Sequence, residues 1–171
     1  PTGAGKTILF SHIVGSLIKD RGLNKVLVIA HRDELTAQNR EKFLRINPKI
    51  ATTVVDSKTK SWDGNVTFAM IQTLSLPANL KTMPNLDLLV IDEAHHAAAE
   101  TYRRIVDRAL ELNPNCKILG LTATPNRSDG KGLRDVFSNV ADQISLAELV
   151  RSGHLVMPRT FVIDVGVRGE L

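Results

Sequence analysis

The sequence predicts an α/β fold with a mostly parallel sheet flanked by helices. Two observations carry that prediction. Apolar runs at Val26–Ala30 (VLVIA) and Leu86–Ile91 (LDLLVI), and a third strand-like stretch at Lys117–Thr122, alternate with segments of helical pattern. Runs that are apolar at almost every position read as strands buried on both faces, as in parallel sheets covered by helices. The chain also opens on PTGAGKT, Pro1–Thr7, directly ahead of a helical pattern. Such a Gly-rich turn at a helix start is a phosphate-binding signal.

The elements follow in order. Thr7–Asp20 reads as a helix, with Arg21-Gly22 as its stop signal. Val26–Ala30 is a strand. Asp33 is expected to be the N-cap of a helix that runs to Ile46, where Asn47-Pro48 ends it. Ala51–Val55 and Val66–Ile71 read as short strands. The polar loop DSKTKSWDGN joins them, with its turn at Asp63-Gly64 and Trp62 as a loop anchor. After the Leu86–Ile91 strand, Thr101–Leu112 is the clearest amphipathic helix. Tyr102, Ile105, Val106, Ala109 and Leu110 share one face, and Arg103, Arg104, Asp107, Arg108 and Glu111 take the other. Asn113-Pro114 stops it. The strand Lys117–Thr122 follows, then a short helix at Ser145–Arg151 closed by Gly153. Phe161–Val167 alternates and reads as a strand leading out of the domain.

At 171 residues, 43% hydrophobic and 23% charged, the chain suits one globular domain with a sizeable core. A net charge of +4 permits nucleic-acid contact without demonstrating it. Aromatic residues make up only 4%, which argues against a platform for stacking bases. The one cysteine, Cys116, excludes an intrachain disulfide and a cysteine-based metal cluster. It reads as an inert, partly buried thiol. No apolar stretch approaches the roughly 20 residues of a membrane span, so a soluble cytoplasmic protein without a membrane partner is expected.

The opening segment carries the most specific chemistry. The full phosphate-loop pattern is G-x-x-x-x-G-K-[ST], and its first glycine would fall one position before Pro1. Thr2, Gly3, Ala4, Gly5, Lys6 and Thr7 form the candidate nucleotide-binding set. Gly3 and Gly5 let backbone N–H groups turn toward a phosphate. Lys6 is placed to reach the β- and γ-phosphates, and the Thr7 hydroxyl can ligate Mg²⁺. ATP and Mg²⁺ are therefore the expected cofactors. Asp92-Glu93 ends an apolar strand, where α/β sheets place their ligands. Asp92 fits the second Mg²⁺-holding position, and Glu93 fits the base that orients and deprotonates the attacking water.

Together, PTGAGKT, DEAHH at Asp92–His96 and LTATPNR at Leu121–Arg127 resemble the superfamily 2 DEXH-box helicases and translocases. VLVIAHRDEL at Val26–Leu35 and FAMIQTL at Phe68–Leu74 are similar to two further segments of that family, and all occur in the family's order. His96 after DEAH, the TATP segment and SLAELVRSGHLV at Ser145–Val156 look more like the DNA-repair and restriction-type members than the RNA-processing ones. The resemblance implies a RecA-like P-loop domain over residues 1–158. Residues 159–171 would start the path to a second RecA-like domain, which would bring an arginine finger. It also implies a strand ahead of Pro1, beside the Lys117–Thr122 strand. Without that strand the chain alone is expected to be poorly stable, and without the second domain nearly inactive in ATP hydrolysis.

Residue roles follow from the same resemblance. His95, Thr122, Ala123 and Thr124 would couple the ATP site to the nucleic-acid groove. His31, Arg32, Gln72 and Thr73 would touch the nucleic-acid backbone, probing no sequence. Plainer readings stand beside these. Thr122 and Thr124 also suit a capped strand end, Gln72 and Thr73 suit local loop bonds, and His96 suits a polar residue at a helix start. Arg127 either pairs with an acidic group of the site or is exposed. The expected activity is that of the ATP-binding half of a DNA helicase or translocase. The alternatives are a P-loop ATPase acting as a non-helicase switch and an RNA-directed helicase.

Overall fold

A computed structural model describes residues 5–124 and 133–156. They fall into two units, one running through Val140 and one beginning at Ala141. The first holds a five-stranded sheet in the order β2-β3-β1-β4-β5. Its strands are β1 (Val26–Ala30), β2 (Thr52–Val55), β3 (Val66–Met70), β4 (Leu88–Asp92) and β5 (Lys117–Leu121). Every pairing is parallel. The sheet is continuous, and among the described residues β5 is an edge strand paired with β4. A further strand beside β5 would extend the sheet rather than fill a gap within it.

Why β1, and β4 as far as Ile91, are apolar at every position is now physical. Val26, Val28, Leu88 and Val90 pack on one face with Phe10, Val14, Phe43 and Phe68. Leu27, Ile29, Leu89 and Ile91 pack on the other with Tyr102, Ile105 and Ala109. The first face is covered by α1 (Lys6–Arg21) and α2 (Asp33–Ile46), the second by α5 (Glu100–Leu112). A strand buried on both sides has no position where a polar side chain reaches water.

Two short helices, α3 (Ile71–Leu74) and α4 (Pro77–Leu80), follow β3. The sequence reading continues the strand to Ile71 and misses both. Ile71 and Leu74 are buried against the α5 face, so burial rather than helix propensity holds this single turn. Asp33 is not the N-cap of α2. Arg32 has the extended cap conformation, and Asp33 lies in the first turn, where its charge favours the helix dipole. Leu110, expected on the apolar face of α5, is 37% exposed. Arg103, Arg104 and Arg108 on the outer face pair with Asp135, Glu100 and Glu111. Such exposed pairs contribute about 0–1 kcal/mol each. Trp62 does anchor its loop: its indole N–H donates to Thr82 Oγ1 at 3.1 Å.

α1 and α2 are locked together at Gly15. A Cβ there would stand 2.2 Å from Asn47 Oδ1. Asn47 is buried, caps the C-terminus of α2 and donates to the Ser11 carbonyl at 2.9 Å. Gly15→Ala gains up to about 1 kcal/mol of helix propensity. It also expels the buried Asn47 amide from its bond to the Ser11 carbonyl, at about 1–3 kcal/mol. The net expectation is a loss of stability, read as a lower urea midpoint.

Cys116 is 5% exposed, and burial, followed by the nearby Asp87 charge, pushes its thiol up to about 11. It is expected to resist a thiol reagent in the folded protein and react once urea unfolds it.

In the second unit, α6 (Leu146–Arg151) begins on a capping box. Ser145 Oγ accepts from the Glu148 N–H, and Glu148 Oε2 accepts from the Ser145 N–H at 2.7 Å. The expected strand Phe161–Val167 lies outside the described residues.

Candidate active site at the carboxyl edge of the sheet

The register gathers the site. Ala30 pairs with Met70, Ile29 with Ile91, and Asp92 with Leu121, so β1, β3, β4 and β5 end along one edge. The segments that follow them are His31-Arg32, Ile71–Leu74, Glu93–His96 and Thr122–Thr124. Parallel strands thus bring together residues up to ninety positions apart in sequence (roughly) at the edge where α/β folds bind ligands. Lys6 and Thr7 join them at the N-terminus of α1. Gly5 precedes that helix with φ 78°, a conformation that favours glycine. Thr2, Gly3, Ala4 and Arg127 lie outside the described residues.

Lys6 and Glu93 meet directly, Nζ to Oε1, at 2.6 Å. Glu93 is the one described non-glycine residue with positive φ, at 53°. A side chain in that region costs of order 1–3 kcal/mol unless its surroundings fix it. Here Glu93 N–H donates to Asp92 Oδ1 at 3.0 Å, and the carboxylate is held between Lys6 and His95. The strained turn swings Glu93 out of the strand line while Asp92 stays inside, 7% exposed. Two adjacent carboxylates therefore occupy different environments.

His95 Nδ1 lies 3.3 Å from Glu93 Oε2 and 3.1 Å from Thr122 Oγ1. Thr122 Oγ1 in turn accepts the Thr124 N–H at 3.0 Å. The Asp-Glu-Ala-His turn and the Thr-Ala-Thr loop are thereby in contact through one imidazole. His96 stacks on His31 with ring centres 5.3 Å apart and lies 4.1 Å from the His95 ring. Gln72 Nε2 is 3.3 Å from His31 Nδ1. His31, Arg32 and Gln72 are exposed, and an open cleft of about 500 Å³ is lined by His31, Arg32, Glu34, Glu93, His95 and His96. Thr73 is half-buried, and its carbonyl accepts from Asn79 Nδ2 at 2.7 Å.

One residue of the site escapes the sequence reading. Asn39 of α2 is 3% exposed and spans the two oxygen donors expected to hold Mg²⁺. Its Oδ1 accepts from Thr7 Oγ1 at 3.0 Å, and its Nδ2 donates to Asp92 Oδ2 at 2.9 Å. The sequence carries little signal for it: Thr36, Asn39 and Phe43 form the buried stripe of α2, and with two polar residues of three that stripe does not read as buried. The linked hydroxyl and carboxylate are hard oxygen ligands that suit Mg²⁺, which takes few protein ligands and completes its shell with phosphates and water.

Below the site, Tyr102 is 2% exposed, and its hydroxyl makes no hydrogen bond among the described residues. Burial, then the charges of Asp92 and Glu93, push its ionisation upward from the ordinary 10.0. The unfolded chain then loses this proton before the folded one does, so stability falls as pH rises past the ordinary tyrosine value. Tyr102→Phe is expected to stabilise by about 1 kcal/mol at neutral pH and to lessen the alkaline loss. Thermal melts across pH check both.

A parallel sheet whose carboxyl edge joins a Gly-Lys-Thr helix start to a strand-end Asp-Glu pair defines a P-loop nucleotide-binding domain. The family model for the type III restriction enzyme, res subunit, matches residues 1–127. The chain belongs to that family, and is a superfamily 2 helicase ATP-binding domain of RecA-like fold. Among curated proteins, IRC3 of Saccharomyces cerevisiae is 30% identical over 158 residues, 87% of this chain and 23% of that protein. The ATP-dependent DNA helicase mph1 of Neurospora crassa is 31% identical over 152 residues, 82% of this chain and 13% of its own. The helicase domain of Pyrococcus furiosus Hef superposes with a TM-score of 0.64 at 27% identity, over 75% of this chain and 29% of that one. The chain thus spans under a third of each of these proteins. No helix among the described residues is long and apolar enough to cross a membrane.

Proposed function

We propose that this domain is the ATP-binding half of an ATP-dependent DNA helicase or translocase. The observation that carries the reading is the side-chain chain Lys6–Glu93–His95–Thr122. It joins the phosphate-loop helix, the acidic strand end and the Thr-Ala-Thr loop, so a change at the nucleotide can reach a second loop. The kinship with mph1, an ATP-dependent DNA helicase, supports both the ATP dependence and DNA as the polymer, and the likeness to the Hef helicase domain supports the helicase reading.

In this reading Lys6 leaves Glu93 to bind the β- and γ-phosphates. Glu93, freed, accepts the proton of the attacking water. Thr7 and Asp92 would hold Mg²⁺, which would supply charge neutralisation on the phosphates. His95 follows Glu93 and shifts its bond to Thr122, and Ala123 and Thr124 move with that loop. His31, Arg32, Gln72 and Thr73 face the nucleic-acid backbone. A second RecA-like domain, reached through residues 159–171, supplies the arginine finger, a contribution of roughly 10³–10⁵ in rate.

ATP hydrolysis by the full-length protein, measured with duplex DNA, single-stranded DNA, RNA and no polymer, tests this. Severalfold stimulation by DNA is expected. Turnover indifferent to every polymer would favour the switch reading instead, and stimulation by RNA alone would reassign the substrate.

A further inference from the structure

We infer that Asn39 is a positioning residue that presets the cation site by fixing the hydroxyl proton of Thr7 and the carboxylate of Asp92. The inference deepens the nucleotide-site reading above and rests on it.

The argument begins with the amide's orientation. Asn39 Nδ2 faces Asp92 Oδ2 at 2.9 Å and Oδ1 faces Thr7 Oγ1 at 3.0 Å. The flipped amide would set its oxygen against a carboxylate oxygen, acceptor against acceptor, so the network itself fixes the assignment. An amide oxygen only accepts. Thr7 must therefore donate, and its hydroxyl proton is committed to Asn39. Both Thr7 lone pairs then remain for a cation, with no proton rotating into their place.

Asp92 is fixed in the same way. Oδ2 accepts from Asn39, and Oδ1 accepts the Glu93 N–H at 3.0 Å. Each oxygen keeps a further lone pair, so the carboxylate can still ligate a metal, with its plane already set. Asn39 is 3% exposed and Asp92 7%, so water cannot substitute for the amide cheaply. Asn39 belongs to α2, whereas Thr7 starts α1 and Asp92 ends β4. The two elements that must be mutually placed for two ligands to share one cation, α1 and β4, are joined by one side chain of α2. A neutral amide suits this task. It bridges a donor hydroxyl and an acceptor carboxylate without adding a charge that would compete with the cation or with Lys6.

The test uses the full-length protein, with Mn²⁺ as the probe. Mn²⁺ binding in the presence of ADP is followed by its paramagnetic resonance signal, alongside fluorescent ADP binding over an Mg²⁺ titration. Asn39→Ala removes both arms. Asn39→Leu also removes both arms but keeps about the volume of the side chain and adds no charge. Each variant is expected to weaken Mn²⁺ binding and to raise the Mg²⁺ concentration for half-maximal ADP binding about tenfold or more, as for one lost charge-assisted bond. Saturating Mg²⁺ should restore most of kcat, and ADP binding in EDTA should match wild type. A purely structural role would instead lower Tm without moving the Mg²⁺ midpoint. Unchanged Mn²⁺ affinity in both variants overturns the inference, as does a kcat that saturating Mg²⁺ cannot restore. If Asn39→Ala does not fold, Asn39→Leu alone decides. Wild-type ADP binding that ignores Mg²⁺ would strike the nucleotide-site reading itself, a result distinguishable from failure of the Asn39 role.

Discussion

Replacing Glu93 with Gln in the full-length protein is expected to reduce ATP turnover by roughly 10²–10⁴, the range for a lost general base. Nucleotide binding should survive and should tighten modestly. Both outcomes come from the same geometry. Gln keeps the size of the side chain and an oxygen that can still accept from Lys6, but it cannot take a proton from water. The Lys6–Glu93 pair at 2.6 Å must open before Lys6 can turn to a phosphate. With side chains 19% and 30% exposed, that pair is worth on the order of 1 kcal/mol after solvent screening. Weakening it lowers the cost of binding, so ADP affinity should rise severalfold while kcat collapses. Single-turnover kinetics with a fluorescent nucleotide separate the two effects. If turnover in Glu93→Gln matched wild type, the base would have to be another group.

The αL turn at Glu93 makes this more than a charge argument. A strand that continued regularly past Asp92 would send successive side chains to opposite faces of the sheet. The positive φ of 53° breaks that alternation, and Glu93 meets Lys6 and His95 instead. Nothing in the residue types Asp-Glu announces the turn, since any alternation would have looked equally regular. The sequence does show where the pair sits, because an apolar run of parallel-strand character must end at the ligand edge.

The same contrast runs through the rest of the chain. β1 and α2 have in the structure the bounds expected from sequence, because a fully buried strand and a helix closed by Asn-Pro leave sharp compositional marks. α3 and α4 leave none. Each is four residues long, too short for a helical period to show, and each depends on burial of a few side chains. Asn39 was hidden by a different cause. A polar residue in a helix of mixed polarity looks solvated until the sheet order places Asp92 under it. His96 gains its stacking partner His31 only through the β1–β4 pairing, which no local pattern discloses. Local signals, in short helices and in single polar residues, are the ones that tertiary contacts overwrite.

Lys6→Ala should act on binding where Glu93→Gln acts on chemistry. A charge-assisted hydrogen bond to phosphate contributes about 1.5–3 kcal/mol, so nucleotide affinity is expected to fall roughly 10- to 150-fold. Turnover at saturating ATP should fall as well, because the same charge is needed as the γ-phosphate leaves. The variant also removes the lysine from Glu93 and leaves the 3.3 Å contact with His95 in place. That contact draws His95 toward Glu93, in competition with Thr122 at 3.1 Å. Lys6→Ala is therefore expected to weaken the coupling of DNA to the nucleotide site beyond its effect on affinity. The double variant Lys6→Ala/Glu93→Gln sharpens the case. With Glu93 neutral as well, its pull on His95 is weakened, and the Thr122 bond should recover. Fluorescent ADP titrations with and without duplex DNA, on both single variants and the double, measure that coupling. Strictly additive effects on affinity would show that Lys6 and Glu93 do not compete, and the nucleotide-free pair would then have no part in the cycle.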